Sequence, residues 1–278
     1  MVRWLAVFLL GCASPAARPL AVRPADPTAP VPLAIGETFH LASRVLGETR
    51  VINVYLPPGY ATSGARYPVL YMPDGGIAED FPQIAGLVDV SVKDFVIPPM
   101  IVVGIENTER RRDLVGPTAV PKERAVAPHA GGSDRFRQFL REELKPHITA
   151  HYRTSDKTAL IGESLAGLFV LETLLVEPDL FDAYIAADPS VWWNKQALVR
   201  GAAARFAAWT AKPVAVFVAT ADPPETAEGV AILLTAKDDH APKGLAITYV
   251  AMPEERHNTI FPLAALRGLR ALFGLPPL

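Results

Sequence analysis

The sequence predicts an α/β chain: a mainly parallel sheet with helices on both faces, entered through an antiparallel hairpin. Three observations carry that expectation. Glu37 to Ser43 and Arg50 to Leu56 alternate apolar and polar residues around a turn containing Gly47, the pattern of a hairpin with one buried face. Apolar, often β-branched runs follow at Pro68 to Met72, Met100 to Ile105, Thr158 to Ile161, Ala183 to Ala187, Val214 to Ala219 and Leu245 to Val250. Each reads as too continuous to be half exposed, and so as a strand covered on both faces. Stretches of helical length separate most of them, and strands joined by helical crossovers lie parallel.

The helices are read at Asp134 to Tyr152, Leu165 to Val176, Lys195 to Trp209, Ala227 to Ala236 and Ile260 to Phe273. No repeat or internal linker interrupts residues 37–278, which are therefore read as one domain. With 278 residues, 50% hydrophobic and 20% charged, the chain can bury a sizeable core. Lys and Arg number 27 against 29 Asp and Glu, a net charge of −2. That balance offers no general attraction to nucleic acid or to anionic lipid. A single cysteine excludes an internal disulfide and a Cys-rich zinc site, so the fold is expected to rest on packing.

Residues 1–11 hold Arg3, an apolar run from Trp4 to Leu10, and Gly11, the makings of a signal peptide too short to span a bilayer. Leu9-Leu10-Gly11-Cys12 resembles the lipobox of bacterial lipoproteins, which implies cleavage before Cys12 and a lipid on its thiol. The alternative is a plain signal peptide with an incidental cysteine. Residues 12–36 carry six prolines among small residues and read as an extended tether. The location expected is the bacterial envelope on its periplasmic side, with the membrane engaged only through that lipid.

In a parallel sheet, reactive groups collect at the carboxyl ends of the strands. One junction there has the makings of a nucleophile site. The strand Thr158 to Ile161 runs into Gly162-Glu163-Ser164-Leu165-Ala166-Gly167 and then into an apolar helix. A serine on so sharp a turn is lifted clear of the sheet, with the free N–H groups of a helix start behind it. The usual motif has glycine where Ala166 stands. Gly131-Gly132-Ser133 also fits Gly-x-Ser, but Ser133 opens a helix, and capping by Ser133 or Asp134 accounts for it.

A serine hydroxyl needs a base, and the base needs an orienting carboxylate. Of six histidines, His129, His147 and His151 precede the serine, the latter two sharing a helix face read as solvated, and His240 lies in a polar stretch. His257 follows the last strand and precedes the last helix, so it is the candidate base. The acid is expected after the Val214 to Ala219 strand, where Asp222 is the first choice and Glu225 the alternative. For the oxyanion, the backbone N–H groups of Leu165 and Gly76 are the candidates, the second in the turn Pro73-Asp74-Gly75-Gly76.

The chain resembles the esterase family of the α/β-hydrolase superfamily that takes in esterase D-like enzymes and siderophore esterases. The likeness covers residues 37–273. It is carried by Tyr67 to Gly75, by Asn107 to Leu114, by Gly162 to Gly167, and by Phe181 to Asn194 with its Asp-Pro-Ser-Val-Trp-Trp-Asn ending. The resemblance implies an α/β-hydrolase fold and a serine ester hydrolase using Ser164 and His257; some relatives work with a dyad, leaving the acid open. It also places the Arg110-Arg111-Arg112-Asp113 loop at the border of the site. There Arg110 could hold an acidic or catecholate group, the alternative being a solvated loop. Trp192 and Trp193 could line an aromatic wall, and core packing accounts equally well for at least one of them.

The expected activity is hydrolysis of a small-molecule ester, of a siderophore or another acyl ester, through an acyl-enzyme. No cofactor or metal is called for, and Walker A, dinucleotide-binding and His-Glu-x-x-His patterns do not occur. The alternatives are an acyltransferase using the same intermediate and a non-catalytic ligand-binding lipoprotein. Substrate identity and oligomeric state stay open.

Overall fold

A computed structural model describes residues 33–222, 225–240 and 242–276. The signal peptide expected over 1–11, Cys12 and the expected tether as far as residue 32 lie outside the described residues. Ala34–Leu278 form one compact unit.

The chain enters through β1 (Glu37–Ser43) and β2 (Glu48–Tyr55), the expected hairpin, in which Gly47 takes a φ of 73° in the turn. Then follow β3 (Tyr67–Pro73), α1 (Phe81–Lys93), β4 (Ile101–Ile105), the short helices α2 (Arg110–Asp113) and α3 (Pro121–Val126), and α4 (Ser133–Phe139). A π-turn over Leu140–Leu144 joins α4 to α5 (Lys145–His151), so the helix read at 134–152 is one rod with a local widening. Pro146, which has no N–H for the helix ladder, stands two residues after it. The rest is β5 (Thr154–Glu163), α6 (Leu165–Val176), β6 (Ala183–Ala187), α7 (Trp193–Arg200), α8 (Ala202–Ala207), β7 (Val214–Asp222), α9 (Glu225–His240), β8 (Leu245–Arg256) and α10 (Ile260–Phe273).

These strands form one eight-stranded sheet in the order β1-β2-β4-β3-β5-β6-β7-β8, parallel throughout from β4 to β8. Alternation along each strand sends side chains to two cores. Val69, Tyr71 and Leu160 face the core under α4, α6 and α9, with Phe136, Phe169 and Leu233. Leu70, Met72 and Ile161 face the core under α1 and α10, with Phe81, Ile84, Ala264 and Leu269.

Three expectations change. The run at 245–250 is no strand covered on both faces: β8 is an edge, with Ala246 and Thr248 exposed and Ile247 and Tyr249 half-buried, and it continues to Arg256. The helix read at 195–209 is two helices meeting at Gly201, and Asn194, Lys195 and Gln196 at its start hold left-handed backbone. The third change is α1, which was not foreseen. Its buried residues Phe81, Ile84, Ala85, Val88 and Val92 keep helical spacing, although Val88, Val90 and Val92 alone suggest a strand.

Candidate active site

The site lies where β5, β6 and β8 end. Ser164 sits between β5 and α6 at φ 59° and ψ −120°, a strained backbone for a residue with a Cβ. Neighbouring backbone holds it there: the Ser164 N–H donates to Ala187 O at 3.0 Å, and Ser164 O accepts from Leu168 N and Ser190 N, each at 2.9 Å. The turn closes because Gly162 has no side chain. A Cβ there would come within 2.6 Å of the Ala166 carbonyl carbon and 2.7 Å of its Cβ. Ala166, fully buried, thus fills the room that Gly162 leaves. At the next position a Cβ on Gly167 would press to 3.0 Å on Ala187 O, so it is here that the missing side chain lets α6 approach β6.

His257 follows β8 directly. Its Nε2 lies 2.9 Å from Ser164 Oγ, so the structure brings these two predicted residues together. Its Nδ1 lies 2.6 Å from Asp188 Oδ2, and a carboxylate at that distance fixes the ring proton on Nδ1 and leaves Nε2 able to accept. Asp188 stands at the end of β6, 4% exposed, with its N–H on Ala219 O at 2.7 Å and its Oδ1 accepting from Ala221 N at 3.0 Å.

The acid position therefore corrects the sequence reading. Asp222 is exposed at the far end of β7, where its register partner is Arg256, and makes no hydrogen bond to His257; Glu225 opens α9. The strand end that meets the imidazole belongs to β6, one strand closer to the serine than expected. The signal was legible: Ala186-Ala187-Asp188-Pro189 puts a carboxylate directly after a fully buried strand, and Asp188 fits the chain order serine, acid, histidine as well as Asp222 does.

The β3 exit loop also differs. Leu165 N, at the first position of α6, has no intrahelical acceptor and keeps its place behind Ser164. The Gly76 N–H instead donates to Glu79 Oε2 at 2.7 Å, because Asp74 at φ 55° folds the loop back so that Glu79 caps it. As an oxyanion donor, Gly76 is already occupied by a carboxylate of its own chain.

Arg110 is neither solvated loop nor free receptor. Its Nε and Nη2 both donate to Asp74 at 2.7 Å, and Asn107 Nδ2 reaches the same carboxylate at 2.6 Å. Further along, Asp113 is buried against the fully buried Arg50 at 2.6 Å, so the 107–114 segment chiefly wires the loop after β4 into the fold. Trp192 is 47% exposed, two residues beyond Ser190, whose Oγ is 3.4 Å from Ser164 Oγ; Trp193 is buried, with Nε1 on Gly116 O at 3.0 Å. Ser133 is no cap but donates to Glu172 at 2.9 Å. His129 pairs with Glu109 at 2.7 Å, while His147 and His151 stack 4.0 Å apart.

Charge tunes the centre. The Asp188 hydrogen bond lifts the His257 imidazole above its ordinary value; partial burial opposes this and Glu163 adds to it. Burial pushes the Glu163 carboxyl up to about 7 against the pull of His257 and Arg110. Burial, with Asp74 next to it, pushes Asp80 up to about 6.

A serine on a strained strand-to-helix turn, a histidine on its oxygen and a buried aspartate behind the histidine, all at the carboxyl ends of a mainly parallel sheet, define a protein of the α/β-hydrolase type. The chain belongs to the family described as "Putative esterase", whose model matches residues 43–260. It is 38% identical over 170 residues to the ferri-bacillibactin esterase BesA of Bacillus subtilis, a match covering 55% of this chain and 58% of that protein. It is 32% identical over 193 residues to the siderophore triacetylfusarinine C esterase of Aspergillus fumigatus, covering 64% of each. The chain thus spans roughly three fifths of the length of these curated relatives. Among solved structures, an IroE-like serine hydrolase from Shewanella oneidensis matches with a TM-score of 0.78 at 32% identity, over 86% of this chain and 80% of that one.

Proposed function

We propose that this chain is a serine carboxylic ester hydrolase whose substrates are siderophore esters. The observation that carries the reading is the relay from Ser164 Oγ through His257 to Asp188, at 2.9 and 2.6 Å. His257 Nε2 takes the Ser164 proton as Oγ attacks the ester carbonyl carbon, and the Leu165 N–H stabilises the oxyanion. Collapse breaks the bond to the alcohol oxygen, which leaves with the proton held on Nε2. Water then attacks the acyl carbon and gives a proton to His257, and collapse breaks the bond to Ser164 Oγ, which takes that proton back as the acid leaves. Asp188 stays ionised throughout and stabilises the imidazolium.

The substrate class is supported by the names of the two curated relatives, both siderophore esterases. The exposed face of Trp192, two residues beyond Ser190, suits an aromatic or other flat group on the substrate. The basic start, apolar run and Cys12 of the amino-terminal segment support placing the protein in the bacterial envelope, held by a lipid on Cys12. The test of the activity is a fluorophosphonate probe together with a panel of p-nitrophenyl, catecholate and hydroxamate esters. Wild type labels and hydrolyses a siderophore ester, and Ser164→Ala does neither; equal labelling of both proteins refutes the assignment.

A further inference from the structure

Glu163 lies inside the elbow, between Gly162 and Ser164, and the mechanism above leaves it unused. Its Oε1 is 3.3 Å from His257 Nε2. That is the same nitrogen that faces Ser164 Oγ at 2.9 Å, and it is not the nitrogen that Asp188 holds. Resting on the esterase reading, we propose that Glu163 is a second positioning carboxylate for the base, competing with Ser164 for His257 Nε2 and thereby setting the pH at which the enzyme becomes active.

The argument is one of proton count. A neutral imidazole with its proton on Nδ1 presents a lone pair at Nε2. An ionised carboxylate at 3.3 Å would set acceptor against acceptor, so the stable resting arrangement holds one proton between Glu163 and His257. While that proton stays, Nε2 is engaged and cannot take one from Ser164. Its loss frees the base.

The surroundings strengthen the coupling. Glu163 is mostly buried, with a side chain 16% exposed, and it faces His257 and Arg110 as positive groups and Asp74 and Asp80 as negative ones. Arg110 is committed to Asp74 through two bonds and only partly offsets the Glu163 charge. His257 in turn faces Asp188, Glu163 and Arg110. The elevated value of the Glu163 carboxyl, about 7, agrees with a carboxyl that keeps its proton into the neutral range.

The sign follows directly. Glu163 and His257 hold that proton jointly, so the carboxylate raises the pH at which the pair gives it up and pushes the acid limb of kcat/KM higher; removing the carboxylate moves the limb down. The experiment compares wild type, Glu163→Gln and Glu163→Ala on a neutral short-chain p-nitrophenyl ester and in fluorophosphonate labelling, from pH 5 to 9. The His257 imidazole is titrated by NMR in the same proteins.

Both variants are expected to show the limb about one pH unit lower. Well below the wild-type midpoint, kcat/KM normalised to its plateau then rises about tenfold, and the imidazole midpoint falls in parallel. A limb and an imidazole midpoint that fail to move down in either variant overturn the proposal while labelling leaves the esterase reading standing. A wild type that neither labels nor hydrolyses refutes the esterase reading itself, and the NMR titration then still reports whether Glu163 and His257 share a proton.

Discussion

Replacing Asp188 with Asn is the sharpest test of how the site is wired. Asn keeps the shape and can still accept from Ala221 N through Oδ1, as Asp188 does at 3.0 Å. It cannot accept from His257 Nδ1, since the atom that replaces Oδ2, 2.6 Å from the ring, becomes an N–H donor. The imidazole must then offer its Nδ1 lone pair and carry its proton on Nε2, where it faces Ser164 Oγ and cannot act as a base.

Two losses combine: the correct tautomer, and a charge-assisted hydrogen bond made at a site only 4% exposed, where solvent screens it little. Acid-to-amide replacement in a serine triad lowers kcat about 10⁴-fold, or about 5.5 kcal/mol of barrier. We expect a fall of about 10³ to 10⁴ in kcat/KM, with KM and the thermal midpoint nearly unchanged. The assay is hydrolysis of a p-nitrophenyl ester at pH 8, with Asp222→Asn measured alongside and staying within about threefold of wild type, as expected for a residue off the relay. Near-normal activity in Asp188→Asn, or a comparable fall in Asp222→Asn, refutes the assignment.

Gly162→Ala would force a methyl to 2.6 Å from the Ala166 carbonyl carbon, a clash with backbone that no rotamer relieves. We expect a stability loss of about 2 kcal/mol, read as a thermal midpoint lower by about 4–8 °C, and loss of labelling at Ser164 because the elbow opens; an unchanged midpoint refutes the packing argument. For the amino-terminal segment, we expect a fatty-acid label on the wild-type protein in bacterial cells, globomycin-sensitive processing, and no label on Cys12→Ser. A label that survives this substitution refutes the anchor.

Much of the site was readable in advance because each feature follows from a local rule. Ser164 stands on a strand–Gly–x–Ser–helix junction, and the excluded volume around Gly162 makes that junction what it is. His257 stands just before a well-patterned helix, α10, whose start was predicted to the residue. The oxyanion loop is the opposite case. The glycines at 75 and 76 looked open, yet the fate of the Gly76 N–H depended on where the Glu79 side chain turned, which is rotamer and loop geometry. Arg110 depends on the same kind of geometry: its run of arginines allows a substrate contact or a solvated loop, and the pairing with Asp74, 36 residues earlier, is made only by the fold.

Periodicity and junction chemistry in the chain were enough for the class of fold, the hairpin at its entrance, and the serine and histidine, because those depend on hydrogen bonding and volume within about ten residues. The choice among carboxylates was of another kind. Asp188, Asp222 and Glu225 all lie between Ser164 and His257 along the chain, and all fall at or just beyond the end of a strand. Only the ordering β5-β6-β7-β8 and the path of the turn after β8 determine which of them the imidazole meets. The same holds for Glu163: its neighbours in sequence are the elbow itself, but its partner is a nitrogen 94 residues away, brought to 3.3 Å by the long edge strand that delivers His257. Contacts between strand ends are long-range, and a pattern read along one strand carries no information about which other strand end will face it.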